Sequence, residues 1–325
     1  MPKILLFGAG GVGSIYTYVL TQGGASVTAV CRSNYETVKK DGFTINSAIW
    51  GEGIQVKPEV VRTPEEARGT EWDYVISCSK AMPGSSPSTP DIIKPAISPR
   101  TAIVLCQNGI HIEDEFAKAF PNNAIISGAV YLPVTQTSPG FVTHGYIERL
   151  EIGTYPADAV KAHKDSVQTF ADIFTAGKGT AHVFDDVQPR RWNKLITNAS
   201  WNPLCALSRS KDIHLLNSTP SSKKMIYGIM LEVVKIAQAC GYTDIIAKHA
   251  DAQMERVVVQ IPDRGIYPSM VGDALNLRPM EVEAIVGNTV RIAMEKGVEV
   301  PLLELTYTLI KALDESNRKR RDEKA

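Results

Sequence analysis

Short apolar runs punctuate the first half of the chain. Residues 3–7, 26–31, 74–78, 102–106 and 124–130 are rich in Ile, Val and Leu. Each has the length of a buried strand, and helical or loop-like sequence separates them. That alternation predicts βαβ units on a parallel sheet. Residues 146–154 read as one further strand followed by a glycine turn, expected to join the sheet antiparallel. Residues 82–90, with four Ser or Thr and three Pro, read as a loop.

The period changes beyond residue 186. Residues 190–207, 221–240, 245–260, 279–296 and 301–315 carry their apolar positions at helical spacing. In the second of these, Met225, Ile226, Ile229, Met230, Val233, Val234 and Ala237 form one stripe, which reads as core. Pro279 and Pro301 stand where helices favour starting, and Gly241 and Gly297 where they favour stopping. The pattern therefore predicts two domains, residues 1–186 as a doubly wound α/β sheet and residues 187–325 as an all-helical domain.

Composition narrows the function classes. With 35 basic and 35 acidic residues the net charge is zero, which argues against nucleic acid or a membrane surface as partner. No apolar run approaches the roughly 18 residues needed to span a bilayer. The five cysteines are odd in number and widely spaced, and the N-terminus lacks a secretory pattern, so a cytoplasmic, reducing setting is expected. Cys31, Cys78 and Cys106 each close an apolar run and read as buried strand-end thiols. The six histidines show no metal-ligand spacing. The basic run Arg318 to Arg321 reads as a solvated helix end, because Asp322 and Glu323 follow at once.

The first strand runs into Gly8-Ala9-Gly10-Gly11-Val12-Gly13, which then opens a helix. In that context the G-x-G-x-x-G spacing predicts a dinucleotide site. Gly8 allows the tight turn, Gly10 lets the backbone approach a pyrophosphate, and Gly13 lets helix and strand pack closely. The helix N-terminus supplies N–H donors to the phosphates. The sheet domain is thus expected to be of Rossmann type. The second strand ends Val30-Cys31-Arg32-Ser33-Asn34, with no acid before Glu36 to hold a ribose 2′-hydroxyl. Arg32 suits a 2′-phosphate instead, so the expected cofactor is NADPH.

Lys194, Asn198 and Asn202 recur every fourth residue on one predicted helix and so share a face. Asparagine is a poor helix former, and two on one stripe suggest the wall of a polar cleft. A solvent-facing stripe is the alternative, against which Leu195, Ile196 and Trp201 count as buried neighbours. Arg190 and Arg191 could hold a substrate carboxylate, but read better as a surface pair at the helix start.

The run Trp192-Asn193-Lys194-Leu195…Asn198…Asn202-Pro203-Leu204 resembles the signature W-x-K-L-x-x-N-x-x-x-N-P-L of the ketopantoate reductase family. Gly8 to Gly13 with Arg32, Ser79-Lys80-Ala81, Gln107-Asn108-Gly109, Pro268-Ser269-Met270 with Asp273, and Glu281-Val282-Glu283 match in the same order. The resemblance covers nearly the whole chain, and residues 127–156 look most like fungal members. It implies NADPH-dependent reduction of a small 2-oxo acid, by default 2-dehydropantoate to pantoate, by a monomer or homodimer. It also implies roles. Lys194 would be the general acid, and Glu281 would orient it and the substrate. Asn198, Asn202 and Ser269 would hold the hydroxy and carboxylate groups. Asn108 would serve both substrate and nicotinamide ribose, and Lys80 the cofactor. Ile266 stands where many members carry a substrate-binding Asn, Glu283 where Asp is frequent, and Pro83 and Pro87 interrupt the helix after Lys80. A relative reducing another 2-oxo acid or a larger ketone is therefore the alternative, with a non-catalytic NADP(H) sensor as a third reading.

Overall fold

The apolar runs become strands in a computed structural model of the chain, which describes residues 1–259 and 264–324. The chain divides into two units. One is Met1–Gln107 with Ile112–Val187; the other joins Asn108–His111 to the chain from Gln188 on.

In the first unit, an eight-stranded sheet has the order β12-β11-β8-β7-β6-β1-β2-β5. Its strands are β1 (Lys3–Phe7), β2 (Ser26–Val30), β5 (Glu59–Val61), β6 (Tyr74–Ser77), β7 (Ala102–Leu105), β8 (Ile125–Tyr131), β11 (Arg149–Tyr155) and β12 (Ala181–Val183). β5, β2, β1, β6, β7 and β8 are mutually parallel. β11 adds antiparallel to β8, as its place after the parallel run predicts. β6 and β7 are buried at every position, which is why they read as unbroken apolar runs. Helices α1 (Gly11–Gln22), α2 (Tyr35–Asp41), α3 (Thr89–Ile93), α4 (Asp114–Ala119) and α5 (Lys161–Ala176) complete the unit. The chain leaves β1 toward β2 and β5 and later returns to β6 on the other side, so the order reverses between β1 and β6. Ligands of open α/β sheets bind at such a switch point, beyond the carboxyl ends of the strands.

A second sheet, not expected from the pattern, has the order β4-β3-β10-β9, formed by β3 (Phe43–Ser47), β4 (Gly51–Val56), β9 (Val134–Ser138) and β10 (Phe141–His144). Its strands mix buried with exposed residues and hold few apolar ones in succession. The pairing of β10 with β3 also joins segments far apart in sequence. Buried His144 lies 2.9 Å from the Ser47 hydroxyl and pins that pair.

The second unit is helical: α6 (Gln188–Ser208), α7 (Asp212–Leu216), α8 (Ser222–Ala239), α9 (Ala247–Val258), α10 (Ser269–Leu275), α11 (Asn288–Glu295) and α12 (Pro301–Asp322). The α8 stripe is core from Ile226 to Ala237, but Met225 is exposed. The helix expected from Pro279 begins later, in a π turn at Glu283–Gly287. Before it the chain is held non-helical, with the Met280 N–H donating to Asp314 at 3.0 Å. Gly241 and Gly297 end α8 and α11 with positive φ, as expected. The last residue of the helix expected over 245–260, Gln260, lies outside the described residues. No helix among the described residues is long and apolar enough to cross a membrane.

Candidate active site

In the first unit the turn after β1 is built by its glycines. Gly8 has φ +100°, and a Cβ there would stand 2.3 Å from the Ser79 nitrogen, so this turn packs directly on the one after β6. A Cβ on Gly13 would meet the Gly8 carbonyl at 2.3 Å, which is the close helix–strand approach the motif predicts. A Cβ on Gly10 would meet nothing within 4 Å. Gly10 therefore borders open space at the N-terminus of α1, where a helix offers its free N–H groups to a phosphate. Ala9 is buried, and Val12 packs against the core below. Gly11 faces Val134, with 3.2 Å between its would-be Cβ and the valine side chain.

Arg32 and Ser33 are exposed just beyond β2. Asn34, to which the sequence assigns no role, is buried and donates to the Ala9 carbonyl at 2.8 Å, tying the loop after β2 to the glycine turn. Lys80 is half-buried in the turn after β6. The Gln107 amide reaches from the end of β7 to the Ser79 carbonyl at 2.9 Å. The ends of four neighbouring strands, β2, β1, β6 and β7, are thus tied together by hydrogen bonds and close packing.

In the second unit, α6 carries Lys194, Asn198 and Asn202 along one face. Lys194 and Asn198 are half-buried and Asn202 is buried, so the stripe is not a solvated face. The Lys194 ammonium donates to Asn108 Oδ1 at 2.8 Å, and Asn108 Nδ2 donates to Glu281 Oε2 at 3.1 Å. An ammonium, an amide and a carboxylate thus form one chain, although Asn108 and Glu281 lie 173 residues apart in sequence. Ser269 is exposed and opens α10, which packs against α6. Hydrogen bonds link Lys194, Asn108 and Glu281 directly.

Asn108 keeps its place because Asn108–His111 is strapped to the helical unit. The buried Arg191 guanidinium donates to the Gly109 carbonyl at 3.1 Å. The Ile110 N–H donates to the Ala284 carbonyl at 3.1 Å, and Asn288 Nδ2 donates to the Ile110 carbonyl at 2.7 Å. Gly109, at φ +106°, lies so close to the π turn that a Cβ would stand 2.5 Å from the Ala284 oxygen. Arg191 is therefore not the surface residue its position at the helix start suggests. Asn288 also escapes sequence reading, because its partner is a backbone carbonyl distant in sequence.

The π turn is anchored as well. Glu283 accepts from Tyr307, Arg291 and Lys311 at 2.9, 2.8 and 2.9 Å. Burial pushes its carboxyl pKa up, but those donors outweigh burial and hold it below its ordinary value. Two residues from Glu281, this anchor fixes the start of the helix that follows.

The same constellation sits in a chain whose whole length has counterparts. Residues 4–157 match the family model described as ketopantoate reductase PanE/ApbA, and residues 186–314 match the model of its C-terminal part. A 2-dehydropantoate 2-reductase from a Nostoc species is 27% identical over 317 residues, covering 97% of this chain and 96% of its own. An uncharacterized Saccharomyces cerevisiae protein is 28% identical and covers 95% and 93% of the two chains. The crystal structure of 2-dehydropantoate 2-reductase from Methylococcus capsulatus superposes with a TM-score of 0.83 at 34% identity, covering 97% of this chain and 98% of that one. The chain belongs to the ketopantoate reductase family of oxidoreductases.

Proposed function

We propose that the protein reduces 2-dehydropantoate to pantoate with NADPH, a step of pantothenate and coenzyme A biosynthesis. The hydrogen-bonded chain Lys194–Asn108–Glu281 carries this reading, because it presents an ammonium oriented by an amide that a carboxylate orients in turn. The first unit serves as the NADPH domain, with the turn Gly8 to Gly13, Arg32 and Lys80 as the holding residues. The second serves the substrate and the chemistry. When bound, the nicotinamide supplies a hydride to the keto carbon. As negative charge develops on the carbonyl oxygen, Lys194 Nζ gives that oxygen a proton, and the alcohol forms without a free alkoxide. Asn108 holds the ammonium in place and presents its amide near the nicotinamide ribose. Asn198, Asn202 and Ser269 hold the substrate's hydroxy and carboxylate groups. The enzyme works in the cytoplasm as a monomer or homodimer.

Ile266 favours a second reading. It is 59% exposed three residues before Ser269, an apolar side chain where many members place an amide. A related 2-oxo acid or ketone with an apolar substituent would suit it. The test is the absorbance of reduced nicotinamide with 2-dehydropantoate and a panel of 2-oxo acids. Turnover of 2-dehydropantoate ahead of the panel supports the first reading, and turnover of another member alone supports the second. NADPH binding with no turnover of any substrate would leave the sensor reading.

A further inference from the structure

The parallel pairing of β2 with β5 sets Val30 opposite Val61, and the Cys31 N–H donates to the Val61 carbonyl at 2.9 Å. The two neighbouring strands therefore end together, with Arg62 following Val61 and Arg32 two residues after Val30, at the edge of the sheet where a dinucleotide's second ribose is expected. The Arg62 guanidinium lies 3.9 Å from the centroid of the Tyr35 ring and forms an ion pair with Glu36. Its own N–H donates to Glu66 at 2.9 Å, which fixes the backbone beneath it. Lys39 approaches the same ring at 5.4 Å. Arg62 is thus a flat, pre-oriented donor fork on the strand end next to the one that carries Arg32, and Glu36 is drawn toward it.

We infer that Arg62 is a second specificity-determining residue for the 2′-phosphate, with Glu36 as the internal anion that the phosphate replaces; this rests on the NADPH reading above. The chemistry favours the exchange. The Arg62 and Glu36 side chains are 52% and 78% exposed, and an exposed pair biases an equilibrium by at most about fivefold. A dianionic phosphate bound between two guanidinium forks gains more, through parallel charge-assisted bonds. Stacking on Tyr35 holds the planar fork in one orientation and reduces what binding must order. While paired to Arg62, Glu36 is engaged elsewhere than on a ribose 2′-hydroxyl, the contact an NAD-binding acid would make.

Fluorescence titration of NADPH and NADH against wild type, Arg62→Ala, Glu36→Gln and Arg32→Ala tests this without turnover. Arg62→Ala is expected to weaken NADPH about tenfold and NADH less than about twofold, the range of one lost charge-assisted contact at a partly exposed site. Unchanged NADH binding also reports that the variant is folded. Glu36→Gln is expected to tighten NADPH by about twofold to fivefold, since the internal competitor loses its charge. Equal weakening of both nucleotides in Arg62→Ala, or of neither, overturns the inference, as does unaltered NADPH affinity in Glu36→Gln. If wild type prefers NADPH and Arg32→Ala alone narrows that preference, only Arg62 has been misassigned. Equal affinity of wild type for both nucleotides overturns the NADPH reading and this inference together.

Discussion

The Lys194 ammonium donates to the side-chain oxygen of Asn108 at 2.8 Å, and this contact decides which way the amide faces. With the oxygen committed to Lys194, the nitrogen must donate elsewhere, and it meets Glu281 at 3.1 Å. Asn108→Ala removes both contacts and is expected to lower kcat/KM about 10- to 100-fold, the effect of one to two charge-assisted hydrogen bonds. Asn108→Asp is expected to do no better, since a carboxylate cannot donate to Glu281. Steady-state kinetics with either variant within threefold of wild type would remove Asn108 from the site.

Proton delivery depends on Lys194. Lys194→Ala is expected to lower kcat by about 10²- to 10⁴-fold, the usual range for a general acid, with NADPH affinity preserved. Lys194→Arg should not restore the rate, because a guanidinium does not release a proton near neutral pH. Near-normal kcat in a folded Lys194→Ala protein would assign the residue to structure alone.

Asn202 is buried on the same helix face two turns on. Its amide is expected to bind ground state and transition state alike, so Asn202→Ala should raise the substrate KM and leave kcat and NADPH affinity little changed. Weakened NADPH at constant KM would move it to the cofactor's side.

Gly109→Ala tests the strap that holds Asn108. Its φ of +106° and the 2.5 Å approach to Ala284 leave a methyl no room. Strain on the order of 1–3 kcal/mol is expected, relieved by shifting the backbone that carries Asn108. Thermal unfolding should report the lost stability and kinetics the displaced amide. In a Lys194→Ala background the same change should have little further effect on kcat. A full additional loss there would mean that Gly109 acts independently of Lys194.

Glu148 gives a stability prediction remote from the chemistry. Burial pushes its carboxyl up to about 7, against the opposing bond from the Thr180 N–H. A pKa raised on folding means that the folded state holds the proton more tightly. The stability it contributes is complete below the ordinary value of 4.5 and is lost as pH rises through about 7. Glu148→Gln keeps a neutral acceptor for Thr180, so the Tm of wild type relative to this variant should fall by roughly a few degrees between acid and mildly alkaline pH. A parallel Tm profile for the two proteins would show that Glu148 ionises as freely folded as unfolded.

The features legible in the sequence share a local origin. Strands β6 and β7 read correctly because strands buried on both faces must be apolar throughout. The glycine turn read correctly because its demands are local, a positive φ at Gly8 and the approach of Gly13 to the Gly8 carbonyl. The α6 stripe needed only the helical period to align Lys194, Asn198 and Asn202.

What long-range packing decides was hidden. The second sheet pairs half-exposed strands such as β3 and β10, whose amphipathic pattern has no continuous apolar run to announce it. Arg191 looked like a surface charge because nothing nearby in sequence reveals the Gly109 carbonyl it serves. Pro279 looked like a helix start, yet the contact of Met280 with Asp314 delays the helix to the π turn. A boundary placed after residue 186 assigned Asn108 to the sheet domain, whereas its packing groups it with the helical unit. By itself, then, the sequence determined the apolar strands of the main sheet, the long helices and the residue types that chemistry requires, because those follow from periodicity and local backbone demands. Only the tertiary structure decided that Asn108, Lys194 and Glu281 form one hydrogen-bonded chain, because a hydrogen bond depends on distance in space, which separation along the chain does not encode.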